Sequence, residues 1–436
     1  MKGKGNQLLI IAYYFPPIQS IGVVRNFHIA DQFSKITSKV EVLTTSNVEL
    51  LPNEIINGSE KINITKVFTF DYRTFFAKLK KKENTHFTED QKSSWFGQFT
   101  VKLLRGFPFN LLIGEGGFFY ILNGVLKGYK KIRQNNVNKT ILYSSFPTYS
   151  DHAIGFFLKF IFPSIFWVAD FRDLHVDPIY KMVYFKKFQH WCNHFFLSKA
   201  DLVTTVSNGL AEQLQSYDAE VHVLRNGVEI RTKEDFRKFS KFTITYTGSL
   251  FMEERDPSLL LIALKELIAE KKIDQNHLEI IYAGKDGIKM EAFVRKQKLE
   301  SIFTNKGMLS RKEALELQSH THVNLLLSSS HKNMKGVFTG KFFEYLSTGN
   351  PILLLIKGIK DEEFENVFQQ INAGFIAYDH PGYLKKTKKY ILNLYEDWIR
   401  DGKINHQINE HHLNSFFSWE KSISDLLEKI EQIKVA

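Results

Sequence analysis

Gly248, Ser249 and Arg255 lie in a segment whose residue types suit the binding of an anion. The segment reads YTGSLFMEERDP, and Gly248 and Ser249 end an apolar run that is typical of a buried strand. Asp256-Pro257 is typical of a helix start, because Asp is a favoured N-cap residue and Pro is tolerated at the first helical position. Arg255 is therefore predicted to place a cation at the carboxyl edge of a sheet, where open α/β sheets bind ligands.

A second segment, VFTGKFFEYLSTGNPILLL, places Thr339, Gly340 and Lys341 at the start of a predicted helix and Glu344 one turn later. The free N–H groups at a helix start attract an anion, and the ammonium group of Lys341 adds a full charge. Together with Arg255 they could neutralise a diphosphate, while the Glu344 carboxylate could accept hydrogen bonds from ribose hydroxyls. The alternative is a capped surface helix with a solvated Lys341.

The N-terminal segment YYFPPIQSIGVVRNFHIADQF is a third candidate. It joins a predicted strand to a predicted helix through a loop that contains Gly22, and Arg25 lies in the first turn of that helix. Gly22 would let the backbone approach a bound anion closely. An ordinary strand-to-helix turn with a surface arginine is the alternative. The dinucleotide fingerprint G-x-G-x-x-G is absent here and follows none of the later predicted strands.

The elements that position these residues are predicted from alternating apolar runs and helix-length amphipathic segments. Such alternation is the pattern of doubly wound parallel sheets. It occurs twice, so we predict two Rossmann-like domains with a seam near Gly227 to Lys241, where EIRTKEDFRKFSK is charged and lacks strand character. The apolar runs are QLLIIAYY, KVEVLTT, KTILYSS, IFWVAD, DLVTTVS and VHVLRN, followed by FTITYTGS, HLEIIYAG, SIFTNKG, HVNLLLSS, PILLLI and GFIAYD.

The composition is that of a folded protein of two or three domains, with 436 residues of which 43% are hydrophobic and 24% charged. The single cysteine, Cys192, excludes an intrachain disulfide and a cysteine-built metal site, and it fits a reducing cytosol. The histidines are scattered, so no metal site is predicted.

The apolar stretch Ala153 to Ala169 is short for a membrane span and contains Lys159 and Pro163, so no transmembrane helix is predicted. The net charge of +11 favours an anionic partner without choosing its class.

Residues 73–133 interrupt the alternation with a basic and aromatic segment. Lysine and arginine outnumber acidic residues there, and aromatic residues are interleaved with them. This composition is typical of a peripheral contact with an anionic membrane, and the alternative is a solvated basic loop whose aromatic residues belong to the core. Nucleic acid is not predicted, because no recognition-helix, zinc or RNP-type signature accompanies the charge. These aromatic residues include Phe75, Phe76, Trp95, Phe96, Phe107, Phe109, Phe118, Phe119 and Tyr120.

The order of these motifs resembles that of family-4 glycosyltransferases of the GT-B fold, retaining enzymes that use nucleotide-activated sugars. The resemblance covers essentially the whole chain and is strongest to the bacterial exopolysaccharide, capsule and O-antigen branch. YYFPP with Gly22 and Arg25 resembles the N-terminal phosphate loop, YTGSLFMEERDP the entry to the donor domain, and GKFFEYLSTGNPIL the donor-binding helix. The other matching segments are the D-x-R-D motif at residues 170–173, LVTTVSNGLAEQL, LRNGVEI and FFSWEKSISDLLEKI.

The resemblance implies an α/β protein of GT-B architecture, with two Rossmann-like doubly wound domains facing across a cleft and a C-terminal helix that crosses back to the first domain. Residues 1–228, with the insertion 73–133, would bind the acceptor, residues 229–415 the nucleotide sugar, and residues 416–436 would form the returning helix. The implied reaction needs no cofactor and no metal, and its donor substrate is a nucleotide-diphosphate sugar. The implied acceptor is a glycan or polyprenyl-diphosphate-linked glycan. The implied role is bacterial surface polysaccharide synthesis by a cytoplasmic protein, peripheral at the inner face of the cell membrane.

The resemblance also implies roles for individual residues. Arg255 and Lys341 would stabilise the charge of the leaving diphosphate, and Asp173 or Asp170 would orient the acceptor hydroxyl. It remains equally open that Asp170 is a strand-end cap and Asp173 a partner of Arg172. The leaving phosphate can accept the acceptor's proton, so a dedicated side-chain base is not required. The donor-binding candidates are Gly22, Arg25, Gly248, Ser249, Gly284, Thr339, Gly340 and Glu344, and the acceptor-side candidates are Ser145, His152, Asp170 and Arg172.

The chain departs from the family's pattern at three places. Of the two glutamates separated by seven residues, the first position is Gly336 here. The family's histidine at the end of the fourth strand is replaced, with Ser145 near that position and His152 further along, where helix packing is the favoured interpretation. Ser249 stands where many relatives have an arginine. A non-catalytic scaffold or sugar-binding module, or a nucleotide-sugar epimerase, therefore remains an alternative.

Overall fold

The chain folds into two compact units, which are described here separately. The computed structural model describes residues 6–18, 21–47, 61–70, 109, 116–146, 148–173, 185–217, 219–230, 237–250, 254–332 and 335–435. The first unit comprises residues 1–226 and 419–436, and the second comprises residues 227–418. Each contains one parallel β-sheet with helices on both faces, which confirms the prediction of two Rossmann-like α/β domains.

The described part of the first unit contains a seven-stranded sheet. Its strands are β1 (Gln7–Ile11), β2 (Lys39–Thr45), β3 (Ile62–Val67), β4 (Thr140–Phe146), β5 (Phe166–Phe171), β6 (Leu202–Thr205) and β7 (Val221–Val223). The strands pair in parallel in the order β3-β2-β1-β4-β5-β6-β7. The chain leaves β1 toward β2 on one side and returns to β4 on the other, so the sheet has a switch point between β1 and β4.

Helices cover both faces of this first sheet. They include α1 (Ile21–Ile36), α2 (Phe118–Arg133), α3 (Tyr149–Ile161), α4 (Lys186–Leu197) and α5 (Asn208–Leu214). Leu8 and Ile10 of β1 pack with α1 on one face, while Leu9 and Ile11 pack with α2, α3 and α4 on the other. All five residues of β1 are buried, which explains the continuous apolar run by which the sequence predicted it.

The described part of the second unit contains a six-stranded sheet. Its strands are β8 (Phe242–Thr247), β9 (Leu278–Ala283), β10 (Phe303–Asn305), β11 (Val323–Ser330), β12 (Ile352–Gly358) and β13 (Gly374–Tyr378). Its helices are α6 (Ser258–Ala269), α7 (Gly287–Gln297), α8 (Arg311–His320), α9 (Gly340–Ser347), α10 (Glu362–Ile371), α11 (Gly382–Asp401) and α12 (Glu410–Phe417). The parallel order β10-β9-β8-β11-β12-β13 places the switch point between β8 and β11.

The last helix, α13 (Trp419–Val435), packs on the sheet of the first unit. Trp419, Ile423 and Leu426 belong to the same apolar core as Leu8, and the ring of Trp419 stacks on His28 of α1 at 4.9 Å. The C-terminal residues are therefore part of the first unit's core. No helix within the described ranges is long and apolar enough to cross a membrane.

Replacing Leu426, which is fully buried, by alanine is expected to lower the free energy of unfolding by about 2–5 kcal/mol, because it opens a cavity under α13. Urea unfolding followed by tryptophan fluorescence measures this change. Glu428 is an exposed residue of the same helix, and its change to alanine should shift the value by less than about 0.5 kcal/mol. Equal, small effects of both variants would show that α13 is dispensable for the core.

Candidate functional site

The predicted donor-side residues of the second unit meet at the switch point of its sheet. Gly248 directly follows β8, while Lys341 and Glu344 lie on α9, the helix that follows β11. A β-carbon built on Gly248 would lie 2.0 Å from Nζ of Lys341, so the ammonium group contacts the Gly248 backbone directly. Gly248 has a φ of +125°, which L side chains rarely adopt. Both the close approach of Lys341 and the backbone conformation therefore require glycine at this position.

Hydrogen bonds fix the loop that carries Gly248 and Ser249. The Ser249 carbonyl accepts hydrogen bonds from the Tyr246 hydroxyl at 2.7 Å and from Nη1 of Arg255 at 3.0 Å. The Tyr282 hydroxyl donates to the Gly248 carbonyl at 2.9 Å. Arg255 is thus held against the same short loop that Lys341 contacts.

The end of β9 supports this loop from the other side. Gly284 follows β9, and its N–H donates to the Gly307 carbonyl at 2.8 Å. A carboxylate oxygen of Asp286 accepts a hydrogen bond from the Leu250 N–H at 2.8 Å. Gly284, one of the donor-binding candidates, therefore lies beside this loop. Its own N–H is already hydrogen-bonded within the fold.

The charge of Lys341 is poorly compensated in the unliganded protein. Burial, and then the nearby guanidinium of Arg255, lower the pKa of Lys341 to about 8, and the carboxylate of Glu344 opposes this change only in part. The ammonium group also lies 5.6 Å from the centre of the Tyr246 ring, within the range of a cation–π contact. Two cations held together in a partly buried place favour the binding of an anion between them.

Glu344 is positioned by two residues that the sequence analysis missed. Its carboxylate accepts a hydrogen bond from Nε2 of Gln318 at 3.3 Å and lies 3.8 Å from Nε of Arg311. Gln318 also donates to the Thr247 hydroxyl at 2.9 Å, which connects Glu344 to the end of β8. Arg311 and Gln318 lie on α8, and their only sequence signal is the Ser310 capping box at its start, which does not reveal what the helix contacts.

The start of α9 lies beside these cations. Thr339 is its N-cap residue in an extended conformation, its side chain makes no capping hydrogen bond, and Gly340 is the first helical residue. The Phe342 N–H of the first turn donates to the Thr339 carbonyl at 3.0 Å, so the N–H groups of Gly340 and Lys341 are those at the helix start that a ligand could reach. Gly336, at the position where the glycosyltransferases that the sequence resembles have their first glutamate, has a φ of +64° and donates its N–H to Asp361 at 2.8 Å.

In the first unit, Arg25 and Asp170 are paired with each other inside the fold, which argues against the donor-binding and acceptor-side roles that the sequence analysis gave them. Both side chains are buried and form an ion pair at 2.7 Å. Arg25 also donates to the Leu224 carbonyl and to Asn226, and Asp170 accepts from the Thr204 hydroxyl. Burial would raise the pKa of Asp170, but the charge and hydrogen bonds of Arg25 outweigh it and hold that pKa below its ordinary value. These groups satisfy each other, and removal of either one would leave the other charge buried without its partner.

Arg172 and Gly22 are brought together at the start of α1. A β-carbon built on Gly22 would lie 1.1 Å from Nη1 of Arg172, so the guanidinium occupies the space that any larger side chain would need. Nε and Nη1 of Arg172 are closed to solvent and have no hydrogen-bond acceptor among the described residues, and the nearest carboxylate, Asp173, is 3.7 Å from Nε. A guanidinium beside the positive end of a helix dipole makes this a second place suited to an anion.

The remaining acceptor-side candidates are core residues. The His152 ring is bonded through Nδ1 to the Ser144 hydroxyl at 2.7 Å and packs 4.7 Å from the Phe171 ring. Burial lowers the pKa of His152 to about 3, so the ring is neutral near pH 7. Ser145 is also buried, and its hydroxyl has no hydrogen-bond partner among the described residues. Within the described ranges, no group of three or more His, Cys, Asp or Glu residues could hold a metal ion.

Most of the basic and aromatic insertion lies outside the described residues. Of the residues from 73 to 133, the structure describes Phe109 and residues 116–133. Phe118 and Phe119 are 55% and 49% exposed, so they are surface aromatic residues. Tyr120 is buried and donates to the Asp151 carboxylate at 3.0 Å, so it belongs to the core instead.

Replacing Arg25 by methionine is expected to lower the free energy of unfolding by about 3–5 kcal/mol, because the Asp170 carboxylate would stay buried without its partner. Urea unfolding at pH 7 measures this change. Lys35→Met is the control, since its pair with Asp31 is on the surface and should contribute less than about 1 kcal/mol. A loss of ligand binding without a loss of stability would contradict the structural role of Arg25.

Replacing Lys341 by methionine is expected to raise the free energy of unfolding of the ligand-free protein at pH 7 by up to about 3 kcal/mol, because a poorly compensated buried cation is removed. Below pH 8 Lys341 is protonated in both the folded and the unfolded wild type, so the full destabilisation by its buried charge is present. Between pH 8 and its ordinary pKa of 10.5, the folded wild type loses the proton first, so its stability rises and the difference narrows. Urea unfolding at pH 7 and pH 10, with the exposed Lys312→Met as control, tests this. A lower stability of Lys341→Met at pH 7 would show that the ammonium is already compensated.

No protein-family model matches the sequence, and no curated protein matches it. Solved structures match nearly the whole chain. Sucrose-phosphate synthase from Thermosynechococcus elongatus aligns with a TM-score of 0.59 and 11% identity, covering 99% of each chain. The pneumococcal O-GlcNAc transferase GtfA, in complex with UDP and GlcNAc, aligns with a TM-score of 0.55 and 10% identity, covering 98% of this chain and 99% of its own.

WaaG, a glycosyltransferase involved in lipopolysaccharide biosynthesis, aligns with a TM-score of 0.51 and 11% identity, covering 96% of this chain and 99% of its own. At such identities the likeness concerns the backbone, and function has to be argued from the residues of the site. The chain has the GT-B fold of these glycosyltransferases.

Proposed function

We propose that the protein is a retaining glycosyltransferase that moves a sugar from a nucleotide-diphosphate sugar to an acceptor hydroxyl. The observation that carries the proposal is the pair of cations, Lys341 and Arg255, held at the start of α9 and at the switch point of a parallel sheet. One of the structures with a similar fold, that of GtfA, contains UDP and GlcNAc. The motif order of the sequence supports the retaining mechanism and the family.

The donor's diphosphate would contact Nζ of Lys341, the guanidinium of Arg255 and the N–H groups at Gly340. Its ribose hydroxyls would donate hydrogen bonds to Glu344, which Gln318 and Arg311 hold in place. A bound diphosphate would raise the pKa of Lys341 again, because a negative charge favours its protonated form. Lys341 would then be fully charged when the reaction begins.

In the proposed reaction the bond between the anomeric carbon and the diphosphate oxygen breaks, and the acceptor oxygen bonds to the same face of the sugar. The acceptor's proton passes to the leaving phosphate, so no side-chain base is needed. Negative charge on the diphosphate increases as the bond breaks. Lys341 and Arg255 are already in place to stabilise that charge, and one such group contributes about 3 kcal/mol in comparable sites. The reaction as proposed uses these protein cations and no metal.

The acceptor is proposed to be a glycan or a polyprenyl-diphosphate-linked glycan, in bacterial surface polysaccharide synthesis at the inner face of the cell membrane. Arg172 and Gly22 support an anionic acceptor group, because a buried guanidinium lies there beside a helix start. Asp173 is 64% exposed and could orient the acceptor hydroxyl, which the buried Asp170 cannot do. WaaG, one of the similar structures, acts in lipopolysaccharide biosynthesis.

Thermal stabilisation by UDP-, GDP-, ADP- and dTDP-sugars is the first test, because a ligand that binds the native state raises the melting temperature. The nucleotide sugar that stabilises the protein is then used as the donor in an activity assay. Arg255→Ala and Lys341→Ala are each expected to lower the turnover of this donor by about ten- to a thousandfold. Lys312→Ala, an exposed lysine on α8, serves as the control and should not change turnover.

Wild-type turnover in both variants would contradict the proposed roles. A rearranged nucleotide sugar formed from donor alone would indicate an epimerase. Stabilisation by none of the nucleotide sugars would favour a scaffold or a sugar-binding module.

A further inference from the structure

Helix α4 exposes aromatic side chains and buries polar ones. Trp191 is 59% exposed, and Phe188 and Phe195 are 45% and 46% exposed. Gln189 and Asn193 on the opposite side are 4% and 1% exposed. Cys192 and Leu197 are buried on the same side, so α4 turns two amides and two apolar residues inward and keeps its three largest exposed rings outside, unlike an ordinary surface helix whose large apolar residues face the core.

Hydrogen bonds explain why the polar side faces inward. Nε2 of Gln189 donates to the Tyr149 hydroxyl at 2.6 Å, and that hydroxyl donates to Oδ1 of Asn193 at 2.8 Å. Nδ2 of Asn193 donates to the Tyr217 hydroxyl at 3.3 Å. Rotating α4 to bury its aromatic residues would break these bonds, and each buried group left unpaired would cost about 1–3 kcal/mol. The aromatic side is therefore held outward by the core.

The three exposed rings of α4 stack in one row. Phe188 stacks on Trp191 at 5.8 Å, and Trp191 stacks on Phe195 at 5.7 Å. Helix α3 lies against α4 and adds Phe157, which is 45% exposed, and Phe160, which is 71% exposed. We call these five residues the α3–α4 aromatic surface.

Among the described residues, the charges around this surface are mainly positive; the acid Asp201 is paired with Lys159 of α3 at 2.7 Å. Lys186 and Lys187 at the start of α4 and Lys199 just after its end are exposed. Helix α4 contains no Asp or Glu, and the one acid on α3, Asp151, is buried. The surface thus combines exposed rings with a basic margin.

We propose that the α3–α4 aromatic surface binds the interface of an anionic lipid bilayer. Aromatic rings insert at the boundary between headgroups and acyl chains, and lysines beside them are attracted to anionic headgroups. A second copy of this chain would fit less well, because a two-fold contact through the same patch would bring the basic margin of one copy toward the basic margin of the other. The inference gives a location to the membrane contact of the proposed function, but it does not depend on the donor chemistry.

Flotation of the full chain with vesicles tests the proposal. Vesicles of phosphatidylcholine and phosphatidylglycerol in equal amounts should carry the wild type, and pure phosphatidylcholine vesicles should carry much less. The triple change Phe188→Ser, Trp191→Ser and Phe195→Ser is expected to reduce the bound fraction at least about tenfold, because the inserted apolar area is lost. Ile288→Ser, at an 85% exposed position of the second unit, is the matched control.

A charge variant covers the case in which the triple variant does not fold. Lys186→Glu with Lys187→Glu changes only exposed side chains and should weaken binding to the anionic vesicles severalfold, more so at low salt. Undiminished flotation of either folded variant would overturn the proposal. So would a loss of flotation confined to Phe118→Ser with Leu122→Ser on α2, which would move the contact to that helix.

Two further outcomes separate this inference from its alternatives. A wild-type dimer that the triple variant converts to monomer, without vesicle binding, would assign the surface to a second copy and overturn the proposal. Vesicle binding by a wild type that no nucleotide sugar stabilises would contradict the proposed function and support the membrane surface. Donor-induced thermal stabilisation, measured without vesicles, should be the same in the triple variant and the wild type.

Discussion

The candidate site depends on placing the ammonium group of Lys341 against the backbone of Gly248, beside Arg255. Burial and the neighbouring cation both disfavour this arrangement, as the lowered pKa of Lys341 shows. The surrounding residues keep it in place: Gly248 leaves room for the ammonium group, and Tyr246 and Tyr282 bond the loop. The cost of bringing the cations together is met in folding, so it is not met again when an anion binds.

Arg25 shows that an arginine near a helix start can be paired inside the fold instead of being available to a ligand. It also lies near the start of a helix, as the fifth residue of α1 with Gly22 inside that helix, yet its guanidinium donates to Asp170, a backbone carbonyl and Asn226. Arg172, next to the same helix start, has no such acceptor among the described residues. The difference lies in acceptors far away in sequence, so a local motif cannot decide which arginine is available to a ligand.

The sequence predicted most of the sheet strands because strands buried on both faces are read as continuous apolar runs. Strand β3 was not among them, because it lies at the sheet edge and most of its residues are at least partly exposed. Gly248, Ser249, Arg255, Lys341 and Glu344 were placed in one site by motif order. Arg311 and Gln318 could not be, because they reach Glu344 from another helix whose local sequence carries no sign of that contact.

The same limit applies to the membrane contact. From composition, the basic and aromatic residues of 73–133 are an obvious candidate, whereas KKFQHWCNHFFL would be read as an amphipathic helix with its rings in the core. Periodicity shows that a helix has two sides but not which side is buried. For α4 that choice is made by Tyr149 and Tyr217, which come from other parts of the chain and bind its amides. The aromatic residues are left outside by the hydrogen bonding of the core, and a lipid interface would remove them from water.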